Sequence, residues 1–160
     1  MTPATEVRPA VPEDLAKVSV FAGRLVRMHH DTDPDRFFLP PNVEDGYRWW
    51  FGKEITRDRA IVLVAVRDGD VVGYAYGAFE ERDWNMLLDE HGALHDIFVE
   101  ETARKTGAGK ALLRAMIAAL EAKGAARIVL STMVGNTVAQ AAFRDAGFRP
   151  TMLEMTRSRA

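Results

Sequence analysis

The chain has 160 residues, 48% hydrophobic and 28% charged, with a formal net charge of −2. That composition fits one globular domain with a real core, and near-neutrality gives no electrostatic case for a general nucleic-acid or membrane surface. Cysteine is absent, which excludes disulfides, thiolate metal sites and covalent cysteine catalysis.

Taken in chain order, Glu6 to Arg8 reads as a short first strand closed by Pro9. Pro12, Glu13 and Asp14 suit a helix's first turn, and Leu15, Val18, Ala22, Leu25 and Met28 recur at helical spacing, predicting a helix over 12–29. The next stretch, HHDTDPDRFFLPPN, is irregular. It reads either as a loop whose Phe37 and Phe38 plug the core or as a substrate wall, with His29, His30 and Asp31 as substrate-binding candidates. A second helix is expected over 43–57, its Tyr47, Trp49, Trp50 and Phe51 serving core and lid packing.

Ala60 to Val66 and Val71 to Phe79 flank Asp68-Gly69-Asp70 and predict a hairpin. Gly73 and Gly77 inside the second strand imply close backbone approach or a bulge. Acidic residues then cluster at Glu80, Glu81, Asp83, Asp89 and Glu90 around Trp84, with Arg82 the sole cation. This is either a solvated loop or an electronegative mouth for a cationic amine, with Trp84 a further substrate-binding candidate.

The segment from Ala93 to Leu120 organises the chain. An apolar strand, Leu94 to Val99, leads through a short charged loop into Arg104-Lys105-Thr106-Gly107-Ala108-Gly109-Lys110, and an amphipathic helix follows up to Gly124. Backbone N–H groups of residues 107–110 can converge on one spot at a helix N-terminus, beside three cationic side chains, which suits a phosphate or pyrophosphate. A P-loop needs Gly where Arg104 stands and Ser or Thr where Ala111 stands. A dinucleotide fingerprint needs Gly where Leu112 stands. Ala126 to Ser131 reads as another strand, Asn136 as the N-cap of a helix ended by Gly147, and Phe148 to Thr156 as a final strand.

The motif Arg-x-x-Gly-x-Gly behind an apolar strand, followed by Asn136 and Gly147-Phe148 after the next strand, resembles the GNAT superfamily of acyl-CoA N-acyltransferases. The residues alone give an α/β or α+β chain. The resemblance implies a twisted mixed sheet flanked by helices, in the order β-α-α-β-β-β-α-β-α-β over a single domain. It further implies that Arg104, Lys105, Thr106, Gly107, Ala108, Gly109 and Lys110 hold the pyrophosphate of acetyl-CoA, that pantetheine lies along the backbone near Phe98 and Val99, and that Asn136 contacts the cofactor arm. Many members carry a tyrosine four residues before the glycine of the Gly-Phe pair, placed to protonate the thiolate. This chain has Phe143 there, on the cofactor side but with no proton to give.

The implied reaction is acetyl transfer from acetyl-CoA to a primary amine, a small cationic one being favoured, by direct attack in a ternary complex. An alkyl ammonium with a pKa of about 10.4 must lose a proton before it attacks. His95 and Asp96 are the leading groups for that step, set on opposite strand faces by simple alternation, and Glu80 and Glu81 follow them. Tyr74 or Tyr76 can replace the missing thiolate donor if their strand faces the thiol. Two other readings stay open: a non-catalytic acyl-CoA sensor, which Phe143 favours, and a phosphate-loop nucleotide enzyme, which Ala111 disfavours. The four histidines have no metal-ligand spacing and no metal is predicted. No apolar run reaches about 18 residues and the N-terminus has no signal pattern, so a cytoplasmic protein is expected; the resemblance adds a homodimer, as is common in such families.

Overall fold

The structure is a computed structural model that describes residues 4–160. Residues 1–3, the start of the N-terminal stretch read above, lie outside the described residues. In order, the elements are β1 (Glu6–Pro9), α1 (Leu15–Thr32), α2 (Val43–Glu54), β2 (Ala60–Arg67), β3 (Asp70–Glu80), β4 (His91–Val99), α3 (Ala108–Ala122), β5 (Ile128–Leu130) and α4 (Thr137–Asp145). The strands form one sheet in the order β1-β2-β3-β4-β5, antiparallel except for the β4–β5 pair.

Both faces of the sheet are covered, so its central strands read as apolar runs. Val62 and Val64 of β2, Tyr74 and Tyr76 of β3 and Phe98 of β4 pack under Val18, Phe21 and Phe51 of α1 and α2. The alternate positions Ile61, Leu63, Ala65, Ala75 and Leu94 pack under Leu112, Met116 and Leu120 of α3. The β2–β3 hairpin turns on Asp68 and Gly69, at φ +50° and +84°, the left-handed pair that a tight hairpin requires. Close approach explains the strand glycines: a Cβ at Gly73 would lie 2.6 Å from the Phe98 carbonyl oxygen, and one at Gly77 2.7 Å from that of Ala93.

The mixed sheet with helices on both faces agrees with the sequence reading. One expected element does not form. The segment 148–156, read as a closing strand, pairs with no strand, and Met152, Leu153 and Met155 are exposed. Pro150 offers no amide donor to a ladder. The segment is held instead by its side chains: Phe148 lies edge-on to Phe143 at 6.1 Å, and Glu154 makes a two-point ion pair with Arg36, one arm at 3.0 Å.

Candidate active site

Strand β4 does three things over nine residues. First, it leaves its neighbour. The parallel ladder to β5 joins only Gly92, Ala93 and Leu94 to Ile128, Val129 and Leu130, after which β4 continues alone on that side. The Glu100 N–H donates to the Val72 carbonyl at 2.8 Å, one step beyond the Gly73–Val99 pair. By the antiparallel alternation, Phe98 and Asp96 therefore bond to β3, while the backbone groups of Ile97 and Val99 face the open side. The Val99 carbonyl accepts from Arg104 Nε–H at 3.1 Å, which leaves the Val99 N–H on that edge.

Second, β4 carries a bulge. Asp96 pairs with Tyr76 and Leu94 with Gly77, so His95 is an extra residue with no partner. Simple alternation put His95 and Asp96 on opposite faces; the bulge corrects that expectation, because an inserted residue turns two successive side chains to one side. Both line a cavity of about 320 Å³ together with Leu25, Val26, His29, Arg36, Phe37, Phe38, Pro40 and Tyr47. The His95 ring stacks on Tyr76, centroids 5.3 Å apart, and its Nε2 lies 3.2 Å from Glu80 Oε1. A carboxylate only accepts, so Nε2 carries the hydrogen and Nδ1 keeps a lone pair.

Asp96 is half-buried in the cavity wall, and burial pushes its carboxyl above the usual carboxylate range. The Tyr74 hydroxyl donates to its Oδ2 at 3.0 Å and, with the nearby His95 and His29, opposes the shift without cancelling it. Burial, aided by the Asp96 charge, pushes Tyr47 up to about 12. Tyr74 and Tyr76 are raised for the same first reason. Their hydroxyls are committed to Asp96 and to Glu54, so neither tyrosine replaces the missing thiolate donor.

Third, β4 feeds the glycine turn. Lys105 and Gly107 take left-handed φ values of +61° and +92°, and Gly107 caps α3. The first helical bond runs from the Ala111 N–H to the Gly107 carbonyl at 2.9 Å, so the amides of Ala108, Gly109 and Lys110 precede the ladder. The Thr106 hydroxyl donates to the Ala103 carbonyl and tightens the turn. Arg104, Lys105 and Lys110 are exposed around it. Free amides on a helix end, open space where a Gly107 Cβ would stand and three cations fit a pyrophosphate.

The remaining candidates separate. Asn136 caps α4, its Oδ1 accepting the Ala139 N–H at 3.2 Å. Phe143 is 8% exposed and packs in the core under α3. The Phe98 side chain is also core, 5.3 Å from the Phe21 ring. His29 lines the cavity and donates from Nδ1 to the Leu25 carbonyl at 2.7 Å. His30 is taken by the Phe37 carbonyl, Asp31 is exposed, and neither lines the cavity. Glu81 faces Arg59 at 3.9 Å, and Trp84 lines a separate pocket with Arg82, Asp83, Leu87, Leu88 and Asp89. The structure therefore does not bring Glu81, His30, Asp31 or Trp84 to the His95–Asp96 cavity. Sequence reasoning missed Arg36 and the buried Glu54, whose carboxylate accepts from Arg57 at 3.0 and 2.8 Å and from the Tyr76 hydroxyl beneath His95. Tyr47 was assigned to packing and in fact lines the cavity.

A family model, Acetyltransferase (GNAT) family, matches residues 24–148. The chain belongs to the GNAT acetyltransferase family. Solved structures superpose along its length. A tetramutant of a Bacillus halodurans protein gives a TM-score of 0.82 at 20% identity, covering 96% of this chain and 99% of that one. The aminoglycoside N-acetyltransferase AAC(6′)-Iy, bound to a CoA-S-monomethyl-acetylneamine bisubstrate analogue, gives 0.77 at 19%, covering 97% and 99%. A predicted acetyltransferase of Clostridium acetobutylicum, crystallised with acetyl-CoA, gives 0.73 at 14%, covering 96% of both chains. At these identities the likeness is one of fold. No curated protein matches the chain. No helix among the described residues is long and apolar enough to cross a membrane.

Proposed function

We propose that this GNAT acetyltransferase moves an acetyl group from acetyl-CoA to a primary amine by direct attack in a ternary complex. The observation that carries the reading is the bulge at His95, which turns an imidazole and a half-buried carboxylate into one cavity beside the open edge of β4. Acetyl-CoA, when bound, supplies an acetyl thioester. The chain's own groups do the rest. The amides of Ala108, Gly109 and Lys110, with Arg104 and Lys105, hold the pyrophosphate. The Val99 N–H on the open edge is available to a carbonyl oxygen on which negative charge develops. Asp96 holds the incoming ammonium, and His95 takes its proton at Nδ1, with Glu80 steadying the imidazolium through Nε2. Direct attack suits a chain with no cysteine to acylate.

A second reading, an acyl-CoA sensor without turnover, draws on Phe143, whose ring is buried where a thiolate donor is expected and which neither Tyr74 nor Tyr76 replaces. A thiol with a pKa of about 8.5 can leave as thiolate, so the absent donor does not forbid transfer.

Calorimetric titration with acetyl-CoA, with Gly107→Trp as a blocked turn, tests the first half of the proposal. Micromolar binding that the variant loses is expected, and no binding to the wild-type chain refutes both readings. Release of CoA is then followed with a thiol reagent, to which the protein contributes no background. His95→Ala is expected to lower kcat/KM by about 100-fold. Binding without transfer to any amine favours the sensor. A single-domain cytoplasmic homodimer completes the proposal; sedimentation velocity at micromolar concentration tests the dimer, and a monomer removes it.

A further inference from the structure

The acidic stretch after β3 invites a polycationic acceptor, but none of its carboxylates lines the cavity. Arg82 pairs with Asp89 at 2.8 Å, and Asp83 Oδ1 accepts the N–H groups of Asn85 and Met86 at 2.9 and 3.0 Å. Glu81 faces Arg59, and Glu80 is held by His95. Of the residues that line the cavity, Asp96 is the one carboxylate.

The other walls have a different chemistry. Leu25 and Val26 come from α1, Phe37, Phe38 and Pro40 from the loop after it, and Tyr47 from α2. Tyr47 carries no charge at neutral pH, and its ring lies 5.5 Å from that of Phe51. The one guanidinium on the wall, Arg36, lies 4.7 Å from the Phe37 ring centroid and is held by Glu154. A second ammonium in this space would lose its hydration against apolar side chains or meet a like charge, and the carboxylates next nearest the wall, Glu80 and Glu154, are already engaged by His95 and Arg36.

We infer that the acceptor is a monoamine with an apolar or aromatic body, not a polyamine or aminoglycoside. The inference rests on the acceptor-site reading of the cavity given above. It sets this chain apart from the aminoglycoside acetyltransferases that share its fold, because the feature that discriminates is the wall opposite Asp96 and not the fold.

The test is an isosteric pair. Hexan-1-amine and pentane-1,5-diamine have the same number of heavy atoms and differ in one end group, methyl against ammonium. The monoamine is expected to have a kcat/KM roughly 10- to 100-fold higher, and each methylene from butyl to hexyl to raise it about three- to four-fold. Dissociation constants for both amines, measured calorimetrically on the wild-type protein with CoA present, should show the same order without turnover. A diamine or neamine that equals or exceeds the monoamine in both measurements overturns the inference, as does binding of neither amine at millimolar concentration. A binding preference for the monoamine without transfer leaves the inference standing and refutes the enzymatic reading. Val26→Asp places a second carboxylate on the apolar wall and should narrow the monoamine-to-diamine ratio at least about ten-fold. An unchanged ratio in a folded variant shows that the wall does not meet the substrate body and overturns the inference.

Discussion

Asp96→Asn separates what the site costs the fold from what it gives to chemistry. Asparagine keeps the volume and can still accept the Tyr74 hydroxyl hydrogen, which now lies 3.0 Å from Oδ2. What it removes is a charge that burial disfavours. Because the folded carboxyl sits above its unfolded value, the native state binds more protons than the unfolded chain between those two pKa values. The stabilising contribution of the protonated group is thus complete below the unfolded value, about 3.9, and is lost as pH rises through the folded one. At neutral pH the ionised group is a net burden. The variant should therefore gain about 0.5–2 kcal/mol at pH 7.5, in the range of other substitutions that relieve strained active sites. For a chain of this size that is about 1–8 °C in Tm. The gain should shrink towards zero as the pH approaches 4. Urea melts of the two proteins across that range supply the measurement, with acetyl transfer assayed in parallel. A loss of more than about 1 kcal/mol at pH 7.5 refutes the reasoning, since it would mean that His29 and His95 stabilise the ionised form more than burial penalises it.

Three further outcomes follow from local geometry. Gly107 has φ +92° with nothing within 4 Å of its missing Cβ, so Gly107→Ala should lose about 1–2 kcal/mol of stability to backbone strain in urea melts, with no steric cost from the added methyl. Gly77→Ala should lose about 3 kcal/mol or more, because the new methyl meets the Ala93 carbonyl oxygen at 2.7 Å and Met116 Sδ at 2.9 Å; a melt unchanged within 0.5 kcal/mol, about the resolution of such comparisons, contradicts the β3–β4 packing. Tyr76→Phe takes a donor from the Glu54 carboxylate, which is 2% exposed. Burial pushes that carboxyl up, and the bonds from Arg57 and Tyr76 outweigh it to hold the group below its usual range. The variant should lose about 1.5–3 kcal/mol at neutral pH.

Much of this was legible in residue order because the causes are local. Asp68-Gly69 specified a hairpin, Gly73 and Gly77 announced close approach, and the glycines of residues 104–110 announced the turn that opens α3. Other features are properties of pairs. Nothing in the letters His95-Asp96 shows that the ladder slips between Tyr76 and Gly77, since a bulge is defined by the partner strand. Glu54 looks like an ordinary helix-surface glutamate, and only the approach of Tyr76 from β3 makes it a buried anchor. The acidic loop stayed open to two readings because charge counted along a sequence ignores where each carboxylate finds its partner; Asp83 caps its own turn and Asp89 pairs with Arg82. The closing strand misled because apolar, β-prone residues satisfy a pattern without supplying a ladder to join.

The bulge also makes a prediction about chain length. Leu94 and Asp96 already face consecutive residues of β3, Gly77 and Tyr76. Deleting His95 would therefore give an unbroken ladder, with Leu94 still under α3 and Asp96 still on the Tyr74 side of the sheet. Deleting Ile97 has the opposite consequence. The ladder closes only by taking up the bulge, which leaves Leu94 and Phe98 in register but sets Asp96 opposite Ala75, in the place of Ile97 against the core under α3. The His95 deletion should fold with a loss of no more than about 2 kcal/mol, within the range of ordinary single changes, and keep acetyl-CoA binding. The Ile97 deletion should fail to fold cooperatively. Both are read by thermal melts, and the His95 deletion should match His95→Ala in lost transfer activity. If the two deletions are equally damaging, the extra residue does not lie at His95, and the placing of imidazole and carboxylate in one cavity loses its cause.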